Sequence, residues 1–146
     1  MNSPTIATLG ALKKTDYCPQ NIQDELSKNL RQRLRDGIPT FDGLIGYENT
    51  VIPDVERAIL SGHNINLLGL RGQAKTRLAR QMTQLLDEWV PVVSGSEIND
   101  DPLAPISREA KECIAERGDE TPIEWLNRDE RFFEKLATPD VTVADL

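Results

Sequence analysis

The sequence predicts an α/β fold, with parallel strands layered between helices. Three observations predict it. Residues 64–68 (NINLL) form a short apolar run bounded by Gly62 and Gly69, the pattern of a strand buried inside a parallel sheet. A glycine-containing loop and an amphipathic helical pattern follow at once, so the order is strand, loop, helix. The chain has 146 residues, 38% of them hydrophobic and 5% aromatic, which suits one domain with an aliphatic core.

The elements read in order as follows. Residues 1–18 have no clear period and form a flexible tail; residues 19–40 form an N-terminal helix and linker. Asn21 is the N-cap of that helix, with Asp24 three residues on. Ile22, Leu26, Leu30 and Leu34 repeat at i, i+4 and give one narrow apolar stripe. Lys28, Arg31, Arg33 and Arg35 crowd the C-terminal half, where the helix dipole favours cations, and Gly37 and Pro39 end it. Residues 41–46 (FDGLIG) read as a turn and short docking segment. A second helix spans about residues 50–61, with Pro53 in its first turn and Ile52, Val55 and Ile59 on its buried face.

After the 64–68 strand, Leu78, Met82, Leu85, Leu86 and Trp89 mark a third helix, as core residues. Residues 90–93 (VPVV) read as a second strand, placed at an edge by Pro91. Residues 97–105 form a loop, 107–117 a short helix, and Gly118 to Pro122 a break. Residues 123–137 allow another helix with Ile123, Leu126, Phe133 and Leu136 on one side; residues 138–146 are extended or irregular.

Composition excludes several classes. No apolar run approaches the roughly 18 residues of a membrane span, and the first 14 residues have no signal-peptide core. Cys18 and Cys113 form no metal-binding pair, His63 is the single histidine, and the expected setting is reducing and cytoplasmic. The net charge is −7 and uneven: residues 1–75 carry 9 basic and 8 acidic side chains, residues 76–146 carry 8 and 16. The second half therefore repels nucleic acid; its acidic surface is solvated or takes a basic partner. Asp100 and Asp101 read as solvent-facing loop residues.

The chemistry lies in residues 69–76, Gly-Leu-Arg-Gly-Gln-Ala-Lys-Thr. The spacing is that of the phosphate-binding loop G-x-x-x-x-G-K-[ST], with Ala74 at the last glycine. A polyphosphate needs a cage of backbone N–H donors and a positive field. Gly69 and Gly72 let the loop curl, Lys75 reaches the β- and γ-phosphates as a point charge, and the Thr76 hydroxyl binds Mg²⁺. Ala74 stands where the chain enters the helix, and a helical φ/ψ there makes its penalty small.

Residues 41–88 resemble the start of an AAA+ ATPase of the MoxR or magnesium-chelatase ATPase-subunit type. Ile45-Gly46-Tyr47-Glu48 resembles the opening motif of that branch, and Ala74-Lys75-Thr76 its loop; Asp101-Pro102 and residues 138–146 are similar to later parts. The resemblance implies ATP and Mg²⁺ as cofactors, contacts from Gly72, Gln73, Ala74, Lys75, Thr76 and Arg77, and adenine near Ile45 and Gly46. It makes residues 41–146 the N-terminal part of a P-loop NTPase three-layer core, with residues 64–68 as strand 1 and 90–93 as strand 2 in the order 5-1-4-3-2. The acidic Asp-Glu motif of strand 3 does not follow residue 93. The expectation is thus an incomplete ATPase that binds ATP, lacks hydrolysis and is marginally stable alone. Its complete form is a ring homo-oligomer that remodels, or inserts metal into, a protein client. The alternatives are a non-catalytic interaction module and another P-loop enzyme such as a small-molecule kinase.

Overall fold

The structure is a computed structural model that describes residues 4–135 and Thr142. The N-terminal part is helical. A short helix, α1 (Leu9–Leu12), is capped by Thr8, whose Oγ1 accepts from the Ala11 N–H at 3.4 Å. α2 spans Ile22–Arg35, with Asn21 Oδ1 accepting from the Asp24 N–H at 2.8 Å, so the cap read from the sequence forms. α3 spans Val51–Leu60, and Pro53 sits in its first turn, where its missing N–H has no helical acceptor. α4 spans Lys75–Gln81 and tightens into a 3₁₀ turn, Met82–Leu85. Leu30, Phe41, Leu44, Val55, Ile59, Leu78 and Leu85 bury one core between these helices.

The C-terminal part is built on two strands, β1 (Trp89–Val93) and β2 (Ile123–Asn127), paired antiparallel with Trp89 opposite Asn127 and Val93 opposite Ile123. Between them lies α5 (Arg108–Arg117), capped by Ser107, whose Oγ accepts from the Ala110 N–H at 3.1 Å. Two further 3₁₀ turns flank β2, at Gly118–Glu120 and Arg128–Arg131.

This architecture overturns the expected fold class. Among the described residues the one sheet is two-stranded and antiparallel, not a parallel three-layer core. Residues 64–68 form no strand and make no backbone hydrogen bond to any described residue. A parallel strand gains its stability from neighbours on both sides, and none lies beside this run. Residues 90–93 find an antiparallel partner instead, in a segment whose apolar spacing suggests a helix. Phe133, which the helical reading places on a buried face, is 82% exposed, and Leu136 lies outside the described residues. Pro91 costs β1 little, because β1 has a partner on one side only.

The tail reading changes too. Thr8 bridges Pro122, the Leu9 N–H donates to the Thr121 carbonyl at 2.9 Å, and the Ile123 N–H donates to the Ala7 carbonyl at 3.0 Å. The Trp125 indole N–H donates to the Ile6 carbonyl at 2.7 Å. Leu9 and Leu12 are buried. Residues 6–9 thus run along the free edge of β2 and shield it. Residues 138–141 and 143–146, expected to be extended or irregular, fall outside the described residues. No helix among the described residues is long and apolar enough to cross a membrane.

Ion pairs join the two parts, among them an exposed one between Arg80 of α4 and Glu134 beyond β2, at 2.7 Å, and a buried one. Arg131, after β2, donates from Nη1 and Nη2 to the two Glu25 carboxylate oxygens of α2, at 2.7 and 2.6 Å. The Glu25 side chain is 2% exposed and that of Arg131 13%. Glu25 also accepts the Asp87 N–H at 2.7 Å. The Asp87 carboxylate in turn takes Lys28, Asn29 and Gln20 at 3.1, 2.8 and 2.9 Å. Removing one partner of a buried pair strands the other charge, at a cost of about 3–5 kcal/mol, whereas replacing both with apolar groups is close to neutral. We expect Arg131→Met to lose about 3 kcal/mol in urea unfolding. The double variant Glu25→Leu/Arg131→Met should recover most of it; equal losses in single and double variants would show that the pair does not behave as buried.

Candidate functional site

The sequence places the site at residues 69–77, and the structure gathers most of them into one curled loop. Gly72 has φ +82° and Ala74 φ +53°, two left-handed residues that reverse the chain just before α4. The position that departs from the strict loop pattern is therefore left-handed, not helical. An L-residue with a Cβ is held there at about 1–2 kcal/mol, the strain a glycine avoids. The expectation that Ala74 is harmless because it enters a helix is corrected on that point.

The loop is closed by its own side chains. Lys75 Nζ donates to the Gly69 and Leu70 carbonyls at 2.9 and 2.5 Å, which holds the ammonium over the loop. Gln73 Oε1 accepts from the Leu70 N–H at 2.8 Å. A Cβ on Gly69 would stand 2.2 Å from it, so any other residue there would push the flexible Gln73 side chain aside. Thr76 is exposed in the first turn of α4. Arg77 turns away from the loop: its Nη2 donates to the Asp42 carbonyl at 3.3 Å, and Gln81 Nε2 donates to the same oxygen at 2.8 Å. These two bonds tie the 41–46 turn to α4.

Beside the loop lies a cleft of about 260 Å³ between α3, the 65–68 segment and the start of α4. Tyr47, Val51, Val55, Ile65, Leu67 and Leu78 give it apolar walls, and Lys75, Gln73 and Asp54 stand at its polar end. Ile45 does not join it. That side chain is 87% exposed and lines a separate groove with Phe41, Gly43 and Glu48. The resemblance carried adenine contact to Ile45 and Gly46; the structure brings Leu44 and Tyr47 to the loop instead. Gly46 has φ +88°, and its N–H donates to both Glu48 carboxylate oxygens. The N–H groups of Glu48 itself and of Gly46 hold the Glu48 carboxyl below the usual range. A glutamate two residues after a glycine is the sequence signal that Glu48 caps this turn. Tyr47 carries no such signal beyond being aromatic.

The remaining candidates are structural. Asp100 is buried and does not face water: its carboxylate accepts the Ile106 and Ser107 N–H groups at 2.6 and 2.8 Å and the Ser96 hydroxyl at 2.7 Å. Burial works to raise its pKa, and the bonds from Ser107, Ser96 and Ile106 together outweigh it and hold the carboxyl well below the usual range. Asp101 accepts the Tyr17 hydroxyl at 2.5 Å; burial first, then that bond and the charge of Asp101, push the Tyr17 phenol above its ordinary pKa. His63 donates its N–H to the Ala58 carbonyl in the turn after α3. Cys18 and Cys113 are free.

Two outcomes follow from these geometries. Ala74→Gly should stabilise the chain by up to about 1 kcal/mol, read as a higher urea midpoint, because relief of the left-handed strain exceeds the entropy of the added glycine. A lower midpoint would mean that residue 74 is not left-handed in solution. For Asp100 the folded pKa lies below the unfolded value near 3.9, so its contribution is full above about pH 5 and drains away as the pH falls through the acid range. Asp100→Asn should cost about 1–3 kcal/mol at pH 7 and progressively less towards pH 3. A loss independent of pH would remove the charge from the account. Comparison of the chain with protein-family models, with curated proteins and with solved structures found no match.

Proposed function

We propose that this chain binds the polyphosphate of a nucleoside triphosphate, ATP, with Mg²⁺, through residues 69–76. The observation that carries the reading is the Lys75 ammonium held over a left-handed loop by the Gly69 and Leu70 carbonyls, at the end of an apolar cleft. A nucleotide has the same two-part chemistry. Its base is flat and largely apolar and suits the wall made by Tyr47, Val51 and Leu78; its phosphates are anionic and suit the loop. Lys75 supplies a positive charge that can move from carbonyl to phosphate at the cost of two hydrogen bonds. Thr76 presents its hydroxyl beside that lysine, where a phosphate-bound Mg²⁺ can take it as a ligand. Among the described residues no three acidic, histidine or cysteine side chains gather to hold a metal by themselves, so Mg²⁺ arrives in this reading with the nucleotide.

The choice of ATP over other nucleotides draws on the resemblance of residues 41–88 to the MoxR and magnesium-chelatase ATPases. Arg77 acts by position in this proposal, since it binds Asp42. A second reading, an interaction module, has one observation in its favour: residues 64–68 have no backbone hydrogen-bond partner among the described residues, and Leu68 and Leu70 are 85% and 77% exposed.

Thermal unfolding with and without Mg-ATP, for the natural chain and Lys75→Ala, tests the proposal. At a hundredfold excess over Kd, binding to the native state adds about 2.7 kcal/mol, enough to raise Tm by several degrees. The natural chain should show that rise and Lys75→Ala should lose it. An absent shift, or equal shifts in both, would sink the nucleotide reading and leave the interaction module in front.

A further inference from the structure

We propose that Gln73 is a built-in competitor for the phosphate, so that the loop rests in a self-occupied state which the nucleotide must displace. This rests on the reading of residues 69–76 as a phosphate site and adds how that site is controlled. The side-chain carbonyl of Gln73 is a neutral acceptor of the same kind as a phosphate oxygen. It takes the Leu70 N–H at 2.8 Å, a donor inside the loop that is otherwise free for a ligand. It does so directly above Gly69, in space that a Cβ on that residue would contest. Lys75 Nζ holds the same stretch of backbone, on the Gly69 and Leu70 carbonyls. One backbone donor and the one ammonium of the loop are both engaged internally, by partners that an anion can replace.

The position of Gln73 supports the same conclusion. It lines both the apolar cleft and the concave outer face formed by Arg71, Gly72 and Thr76. With Ala74 and Lys75 it thus borders both the place suited to the base and the place suited to the phosphates. Binding then exchanges the Gln73 amide oxygen for a phosphate oxygen on the Leu70 N–H, and the side chain swings out. Two side-chain anchors, from Gln73 and Lys75, keep the empty loop curled without a ligand, and each weakens the first contact with one.

Isothermal titration with Mg-ATP, and separately with inorganic pyrophosphate, tests this on the natural chain, Gln73→Ala and Lys75→Ala. Loss of the internal bond should tighten both probes about three- to tenfold in Gln73→Ala, by a similar factor, since the competition is with phosphate alone. Unchanged or weaker binding in Gln73→Ala, with Lys75→Ala still impaired, overturns the competitor and leaves the phosphate site standing. No difference between the natural chain and Lys75→Ala, including no binding in either, overturns both. Exchange of the Leu70 amide hydrogen in the natural chain gives a check that does not depend on a variant folding. It should be slow without any ligand; rapid exchange there overturns the proposal by itself.

Discussion

The contact on which the two parts of this chain depend is the buried pair of Glu25 and Arg131. Its partners lie 106 residues apart, on α2 and on the turn after β2. Neither part is large: one core of helices around Leu30 and one antiparallel pair of strands. Glu25 sits at the seam and binds both sides, Arg131 through two hydrogen bonds and the Asp87 backbone through one. A carboxylate removed from water is tolerated there because its oxygens meet three donors and a full positive charge. Asp87, fixed from α2 by Lys28 and Asn29, then sets where β1 begins. Side-chain charges at this seam thus act beside the backbone bonds that tie residues 7–9 to residues 121–123.

That explains which features the sequence reveals and which it hides. The helices with local signals form close to where they are read: Asn21 caps α2, Gly62 follows the end of α3, and the short helix read over 107–117 forms as α5, because a cap acts within three or four residues of itself. The strands depend on partners far away in sequence. Residues 64–68 have the letters of a buried parallel strand, but a strand is made by its neighbours, and the described residues give this one none. Residues 123–127 have a helical spacing of Ile123 and Leu126, yet Ile123 and Trp125 pair well across a sheet, and β1 supplies the open edge. Leu9 and Leu12 look like part of a tail because their partners, residues 121–123, lie more than 100 positions on.

The candidate site divides along the same line. The curl of the loop follows from the local spacing of its glycines, and the structure shows it at Gly72, with Lys75 turned back on the Gly69 and Leu70 carbonyls. What the pattern does not carry is how the loop is held. Letters alone do not say that Ala74 is left-handed, that Arg77 leaves the loop for the Asp42 carbonyl, or that Tyr47 and not Ile45 lines the cleft. These depend on packing between α3 and α4. Gln73 is the clearest case: at a variable position of the loop pattern, it makes the shortest route from the loop's own backbone to a side-chain acceptor.

In a parallel α/β layer, a phosphate loop is braced by the sheet on one side and by its helix on the other. Here the helix side alone is braced. The Asp42 carbonyl, Arg77 and Gln81 fix α4 to the 41–46 turn, while residues 64–68 lead into the loop with no ladder to steady them. The hydrogen bonds that a sheet would have supplied indirectly are replaced by two bonds from Lys75 and one from Gln73, all within residues 69–75. In the proposed phosphate reading, the groups that order the loop are the ones that would bind, so shape and affinity are in opposition: an incoming phosphate would have to displace Gln73 from the Leu70 N–H and draw Lys75 off the Gly69 and Leu70 carbonyls.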